Sequence, residues 1–166
     1  TTLEDSWQRH FVDSLQLVKY LPVESKIIVD LGSGAGFPGL VLALSEPDKD
    51  VHLVESDQKK CAFLRTVSRE TKTPIYVHND RIEVVDLDIV PDVITARALA
   101  PLKTLLDYCQ NQVRQNPSVT FVFPKGSDYN EEINFAKKYY NFDCECHESC
   151  TENQARILVV RSVRKL

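Results

Sequence analysis

The sequence predicts a doubly wound α/β domain: a mostly parallel, seven-stranded sheet with helices on both faces and one reversed strand in a C-terminal hairpin. Three observations carry this expectation. Short β-branched runs alternate with amphipathic stretches along most of the chain, the pattern of parallel strands joined by crossover helices. A glycine-dense turn, Gly32-Ser33-Gly34-Ala35-Gly36, follows the first apolar run, Ile27-Ile28-Val29, as it does where an α/β fold receives a nucleotide. Two strand-like segments then close the chain with no helix between them, which adds an antiparallel pair to the sheet.

The elements follow in order. Residues 2–21 carry Leu3, Trp7, Phe11, Leu15 and Val18 at helical spacing, with Thr2 and Asp5 as a capping pair and Pro22 as the stop. The first strand is 26–31 and its helix 38–45, with Pro38 in the first turn, where a missing N–H is no loss. Glu46-Pro47-Asp48 breaks that helix. A second strand, 51–55, leads to a helix over 57–71 that turns Cys61, Leu64 and Val67 inward. Strands at 75–78 and 92–95 come next, followed by a helix over 101–115 that buries Leu102, Leu105, Leu106, Cys109 and Val113. The fifth strand is 119–123. Asp128 with Glu131 caps a helix to about residue 140, and 142–148 with 156–163 form the hairpin. Without repeats, low-complexity tracts or linkers, residues 1–166 read as one domain.

Composition sets the class. The chain has 166 residues, 43% hydrophobic and 27% charged, enough to bury a core. No apolar run approaches a membrane span and no signal-peptide pattern opens the chain. Five cysteines without framework spacing suit a reduced, cytoplasmic compartment. The net charge of −4 leaves any nucleic-acid affinity to a local basic patch. The sequence contains no methionine, which predicts either residues upstream of Thr1 or selenomethionines not carried in the sequence.

The cofactor class rests on the glycine turn. Gly34-Ala35-Gly36-Phe37-Pro38-Gly39 spells the dinucleotide pattern G-x-G-x-x-G, and Glu55 is the acid expected about 20 residues on. That keeps NAD open. Gly32 precedes the pattern, however, and Asp30 closes the strand with a carboxylate that repels pyrophosphate but suits the ammonium and sulfonium of S-adenosylmethionine. The chain has no room for a second, substrate-binding domain, and a terminal hairpin is a feature of the adenosylmethionine-dependent methyltransferase sheet. Glu55 serves either cofactor by accepting ribose hydroxyls; as a plain acid it would balance the dipole of the following helix. Asp80-Arg81-Ile82-Glu83, just after the third strand, is either an adenine contact or a charged loop.

Several segments together resemble the bacterial small-subunit rRNA guanine-N7 methyltransferases, the RsmG family, once called glucose-inhibited division protein B. They are Arg9-His10-Phe11-Val12-Asp13-Ser14-Leu15, the turn from Asp30 to Gly39, Leu53-Val54-Glu55-Ser56 with Lys59-Lys60 and Phe63-Leu64-Arg65, Asp80 to Glu83, Thr95-Ala96-Arg97-Ala98-Leu99-Ala100-Pro101-Leu102, and Lys125-Gly126. The resemblance implies a Rossmann-like class I methyltransferase that moves a methyl group from S-adenosylmethionine to N7 of a guanine in the decoding-region loop of 16S rRNA, free or in the small subunit. By family pattern the cofactor contacts fall on Gly32, Phe37, Ile82, Glu83 and Arg97. Asp30, Gly34 and Gly36 of the turn, and Glu55, complete the expected set. A helical segment usually precedes the Arg9-His10 motif in the family, and Pro124 before Lys125 departs from its pattern. A monomer is expected, with no metal.

Guanine N7 has a lone pair and no proton, so its methylation needs positioning rather than a general base. The sequence agrees: Ala96-Arg97-Ala98 stands where exocyclic-amine methyltransferases carry an Asn/Asp-Pro-Pro-aromatic motif. Arg97 stays protonated, so its role is either to position substrate or cofactor or to pair with Asp30 or another strand-tip acid. Arg9, His10 and Lys125 are expected RNA contacts, and Arg161, Arg164 and Lys165 form a basic tail. Cys144-Glu145-Cys146-His147 reads as strand alternation with structural cysteines rather than as zinc ligands. A small-molecule methyltransferase and a binding module for adenosylmethionine or NAD are the alternatives.

Overall fold

The computed structural model describes residues 2–166; the side chains at 6–8, Trp7 of the expected apolar face among them, lie outside the described residues. Seven strands form one sheet in the order β3-β2-β1-β4-β5-β7-β6. They are β1 (Ile27–Leu31), β2 (Asp50–Val54), β3 (Tyr76–His78), β4 (Val93–Ala96), β5 (Thr120–Lys125), β6 (Tyr140–Glu148) and β7 (Arg156–Lys165). The first five pair in parallel, and β7 runs antiparallel between β5 and β6. Strand order reverses between β1 and β4, so the carboxyl ends of those two strands flank the crevice in which an open α/β sheet binds ligands.

The residues that build this sheet are the β-branched and aromatic ones seen in sequence. Alternation sends Val29, Leu31, Ile94, Phe121 and Phe123 to one face, where they pack with Leu102, Leu105 and Leu106. Helices α5 (Leu102–Tyr108) and α7 (Tyr129–Ala136) lie on that side. Ile28, Val51, Leu53, Val93 and Val122 face the other way, against Leu17, Leu40, Leu42 and Leu64. Leu40 and Leu42 come from α3 (Gly39–Ser45), and Leu64 from α4 (Gln58–Thr71). Asp92 fixes the start of β1: its carboxylate accepts the Lys26 and Ile27 N–H groups at 2.7 and 2.9 Å. No helix among the described residues is long and apolar enough to cross a membrane.

Four expectations are corrected. The N-terminal run is helical throughout but irregular: α1 (Leu3–Ser6), a π turn at Trp7–Val12, α2 (Asp13–Leu15) and a 3-10 turn at Gln16–Tyr20. A wide turn followed by a tight one rotates the buried stripe. Ser14, Leu17 and Leu21 are therefore buried, while Leu3, Phe11 and Leu15 are 92%, 38% and 48% exposed. The Thr2–Asp5 capping pair does form, with both reciprocal bonds at 3.2 Å.

The helix expected over 101–115 breaks at Cys109 into α5 and α6 (Gln110–Gln115). The Asp128 side chain makes no cap bond, and α7 stops at Ala136. Tyr140 instead opens β6, with its hydroxyl donating to Asp107 at 2.6 Å. In β6 a register shift lies between Asn141 and Asp143. Phe142 is buried and Cys144 half-buried, but Cys146 is exposed, so burial fades toward the hairpin tip. Burial, then Cys146, pushes the Cys144 thiol up to about 12.

The start of α3 is the tightest joint. A Cβ on Gly39 would run into Leu53 and would stand 2.7 Å from the Asp30 carboxylate. Gly39→Ala is expected to destabilise the protein by about 1–3 kcal/mol, the cost of overpacking a filled core. Urea denaturation would read it as a lowered midpoint with an unchanged slope.

A candidate nucleoside and substrate site

The chain leaves β1 through Gly32, Gly34 and Gly36, whose φ values are 65°, 56° and 99°. At Gly34 this left-handed backbone has a direct use. Its N–H donates to Glu55 Oε2 at 2.8 Å, and only the Gly32 carbonyl, at 3.9 Å, lies within reach of a Cβ there. Glu55, at the tip of β2, accepts the Asp57 N–H on its other oxygen at 2.9 Å. Asp57 in turn caps α4 by accepting the Lys60 N–H at 3.0 Å. Glu55 is thus both a brace for the glycine turn and the acid at a helix entry. Each of its oxygens keeps a second lone pair for another donor.

A cavity of about 340 Å³ opens above this turn, lined by Gly32, Gly34, Glu55, Ile82, Glu83 and Leu99 among others. That volume suits a nucleoside. The open side of Gly34, the spare lone pairs of Glu55 and the Ile82 side chain beside them make a set that fits a ribose and a purine ring.

Asp30 takes a different place from the one expected. It is fully buried, lies beneath the turn and does not line the cavity. Thr95, its register partner on β4, donates to Oδ1 at 2.8 Å, and the Gly39 N–H donates to Oδ2 at 3.1 Å. Burial raises the Asp30 carboxyl to about 6, against the pull of these hydrogen bonds and of Arg97. Gly36 and Phe37 also stand outside the cavity: Gly36 packs closely on Leu40, and Phe37 faces the N-terminal run.

Arg97 is a hub. Its Nη1 donates to the Arg9 carbonyl at 3.1 Å and lies 3.5 Å from Asp13, while Nη2 bonds His10 Nδ1 at 3.0 Å. The guanidinium also sits 5.4 Å from the centre of the Phe37 ring. The acid that pairs with Arg97 is therefore Asp13, not Asp30. Arginine only donates, so His10 Nδ1 is an acceptor and the ring's proton is on Nε2. Burial, then the Arg97 and Arg9 charges, lower the His10 pKa and favour that neutral form. His10 stacks on Phe37 at 5.1 Å, and Phe11 meets the same ring edge-on. At most three of the five guanidinium N–H donors are engaged, which leaves two for a ligand. Arg97 lines two open cavities beside the nucleoside one, and Leu99 walls both the nucleoside cavity and one of these neighbours.

Other expected residues divide. Arg9 and His10 reach the second open cavity. Lys125 is held inward: its ammonium donates to the Ala100 carbonyl at 2.6 Å and pairs with Glu132 at 2.7 Å, and Glu132 also accepts the Leu102 N–H at the start of α5. That geometry makes Lys125 a brace and offers RNA little. The basic tail is misplaced for the site. Lys165 pairs with Tyr140 at the far end of the hairpin, whereas Arg156 pairs with Lys125 at the carboxyl end of β5. Asp13 and Leu99 were missed as individual residues, although both fall inside the quoted motifs; nothing local marked them, because their partners are long-range.

Comparison with known proteins gives a consistent result. A family model described as GidB, rRNA small subunit methyltransferase G, matches residues 1–160. The relative named Ribosomal RNA small subunit methyltransferase G from Paramagnetospirillum magneticum is 44% identical over 164 residues, which span 99% of this chain and 78% of the relative. The protein of that name from Rickettsia prowazekii is 39% identical over 166 residues, spanning 99% and 83%. Among solved structures, a SAM dependent methyltransferase from Aquifex aeolicus superposes with a TM-score of 0.69 at 11% identity, covering 94% of this chain and 91% of that one. The apo form of the S-adenosylmethionine-dependent methyltransferase SibL gives 0.73 at 12% identity, covering 98% and 57%. These two likenesses show the fold alone.

The buried Asp30 has a signature in stability. Its folded pKa, about 6, lies above the ordinary 3.8, so protonation favours the folded state. The ionised carboxylate is a cost above about pH 6, and that cost is relieved as the pH falls toward 4. The wild type is expected to gain about 2–3 kcal/mol relative to Asp30→Asn between pH 7 and pH 4, read from urea denaturation of both proteins across that range.

Proposed function

This chain belongs to the rRNA small subunit methyltransferase G (GidB) family, and from that membership we propose that it transfers the methyl group of S-adenosylmethionine to N7 of a guanine in the 530 loop of 16S rRNA. The dinucleotide reading of the glycine turn, the small-molecule alternative and the non-catalytic binding module fall with that membership. On this reading the enzyme works in the cytoplasm as a monomer, on the rRNA or on the small subunit.

One observation carries the chemical part: the nucleoside cavity and an open cavity on Arg97 share the Leu99 wall. S-adenosylmethionine, when bound, supplies an electrophilic methyl group on a sulfonium. Glu55 accepts the ribose hydroxyls, and Ile82 with Glu83 borders the adenine. The Gly32 and Gly34 backbone forms the floor. On the other side of Leu99, Arg97 offers two free donors to the incoming nucleotide: guanine O6 and a phosphate oxygen are both acceptors it can meet. Guanine N7 has no proton to remove, so this chain supplies alignment and charge stabilisation instead of a base. Arg97 cannot act as one in any case. His10, neutral and stacked on Phe37, keeps its Nε2–H as a further donor.

The experiment is methyl transfer from labelled S-adenosylmethionine to 16S rRNA and to 30S subunits, with the modified base mapped. A label on a guanine N7 supports the reading, and its absence from both substrates rejects it. Arg97→Ala is expected to lower kcat/KM roughly a hundredfold or more, as for loss of charged hydrogen bonds, with the fold intact by circular dichroism. Glu55→Gln is expected to weaken S-adenosylmethionine binding about tenfold or more by calorimetry. Gly34 and Asp57 donate to different oxygens of Glu55, and glutamine replaces one of them with an NH2 donor, so the substitution disturbs the turn as well as the ribose contact.

A further inference from the structure

We propose that Glu152, at the tip of the β6–β7 hairpin, recognises the target base as guanine by accepting its N1–H and exocyclic N2–H. The inference rests on the guanine reading above and names the residue that enforces it. Four carboxylates line the two open cavities around Arg97: Asp5, Asp13, Glu132 and Glu152. Asp5 accepts the Thr2 N–H. Asp13 accepts from Gln16 at 2.9 Å and Thr151 at 2.8 Å and faces Arg97. Glu132 accepts from Leu102 and pairs with Lys125. The Glu152 carboxylate alone has no hydrogen-bond or ionic partner among the described residues, yet it lines both cavities together with Arg97 and Ala98.

Glu152 is exposed at the hairpin tip, so its carboxylate is solvated until a ligand fills the open cavities; beside a polyanion it is then repulsive unless the ligand brings donors to it. Guanine does so. With N7 and O6 directed at the methyl group and Arg97, its N1–H and N2–H form an adjacent pair of donors on the Watson–Crick edge, spaced for one carboxylate. Adenine presents a lone pair at N1 and a C–H at position 2, which a carboxylate rejects. Bases taken out of a stack are read along this edge.

The hairpin tip is held where such a contact needs it. Gln16 Oε1 accepts the Cys150 N–H at 2.9 Å, and Gln16 Nε2 donates to Ser149 at 3.2 Å. Thr151 bonds Asp13 through its hydroxyl and Ser149 through its N–H at 3.2 Å. The Glu152 carbonyl accepts the Ala155 N–H at 3.2 Å and closes the tip. Asp13 therefore supports both Arg97 and the segment that carries Glu152, which fixes the two sides of the base site relative to each other. Arg156, next along the chain, donates to the Asn153 and Ala155 carbonyls and stiffens the same tip.

The test uses 16S rRNA carrying guanine or inosine at the methylated position; inosine keeps N7, O6 and N1–H but lacks the N2 amine. The expected result is a wild-type preference for guanine of roughly tenfold in kcat/KM, the weight of one charged hydrogen bond. In Glu152→Ala, activity falls on both substrates, on guanine to below the wild-type inosine level, and the preference collapses toward one. S-adenosylmethionine affinity by calorimetry stays unchanged, and rRNA affinity measured with S-adenosylhomocysteine falls for both substrates, more for guanine than for inosine. A wild-type preference retained in Glu152→Ala, or no preference in the wild type, overturns the inference while leaving the methyltransferase reading intact. No transfer to guanine by the wild type rejects both.

Discussion

The buried carboxylate of Asp30 is the constraint on which the site depends. One oxygen takes the hydroxyl of Thr95 from the neighbouring strand, and the other takes the Gly39 N–H from the start of α3. Three elements, β1, β4 and α3, are joined by a single side chain beneath the glycine turn. Burial of an acid works against folding, and its raised pKa records that cost. The cost is tolerated because nothing apolar would satisfy both donors at once. The turn that results hands the Gly34 N–H to Glu55, so two acids divide the labour: Asp30 holds the turn from below, and Glu55 braces it at the edge of the nucleoside cavity.

A second joint depends on the first. The exit of the turn delivers Phe37, on which His10 stacks and over which Arg97 lies. Arg97 then binds the Arg9 carbonyl, His10 and Asp13, and Asp13 with Gln16 reaches the hairpin tip. The N-terminal run is thus a strap from the centre of the sheet, beyond β1 and β4, to the β6–β7 hairpin at its edge, fastened by polar contacts at the mouth of the substrate cavities. The run makes these contacts while passing through a π turn and a 3-10 turn.

Much of this was legible in the sequence, and the part that was not has a common cause. Strand alternation and turn residues placed all seven strands; the glycine turn and Glu55 were picked out as the nucleoside site because their signals are local or at fixed offsets, whereas Ile82 and Glu83 were assigned only through the family resemblance. Asp30 was recognised as unusual but assigned to the cofactor, since sequence shows a carboxylate at a strand end without showing the Thr95 and Gly39 donors that enclose it. Arg97 was found, yet its partner Asp13 lies far away in the chain. Lys125 looked like a free cation until Glu132 from another helix met it. The N-terminal stripe was misphased because periodicity assumes a constant turn. Contacts between elements distant in sequence decided each of these cases.

The measurement that bears most directly on this division of labour is a crystal structure of the protein with S-adenosylhomocysteine. It is expected to have the ribose hydroxyls on Glu55, the adenine beside Ile82, and Asp30 still enclosed with its bonds to Thr95 and Gly39. An Asp30 carboxylate turned out to meet the ligand, or a nucleoside bound away from Glu55, would contradict the account.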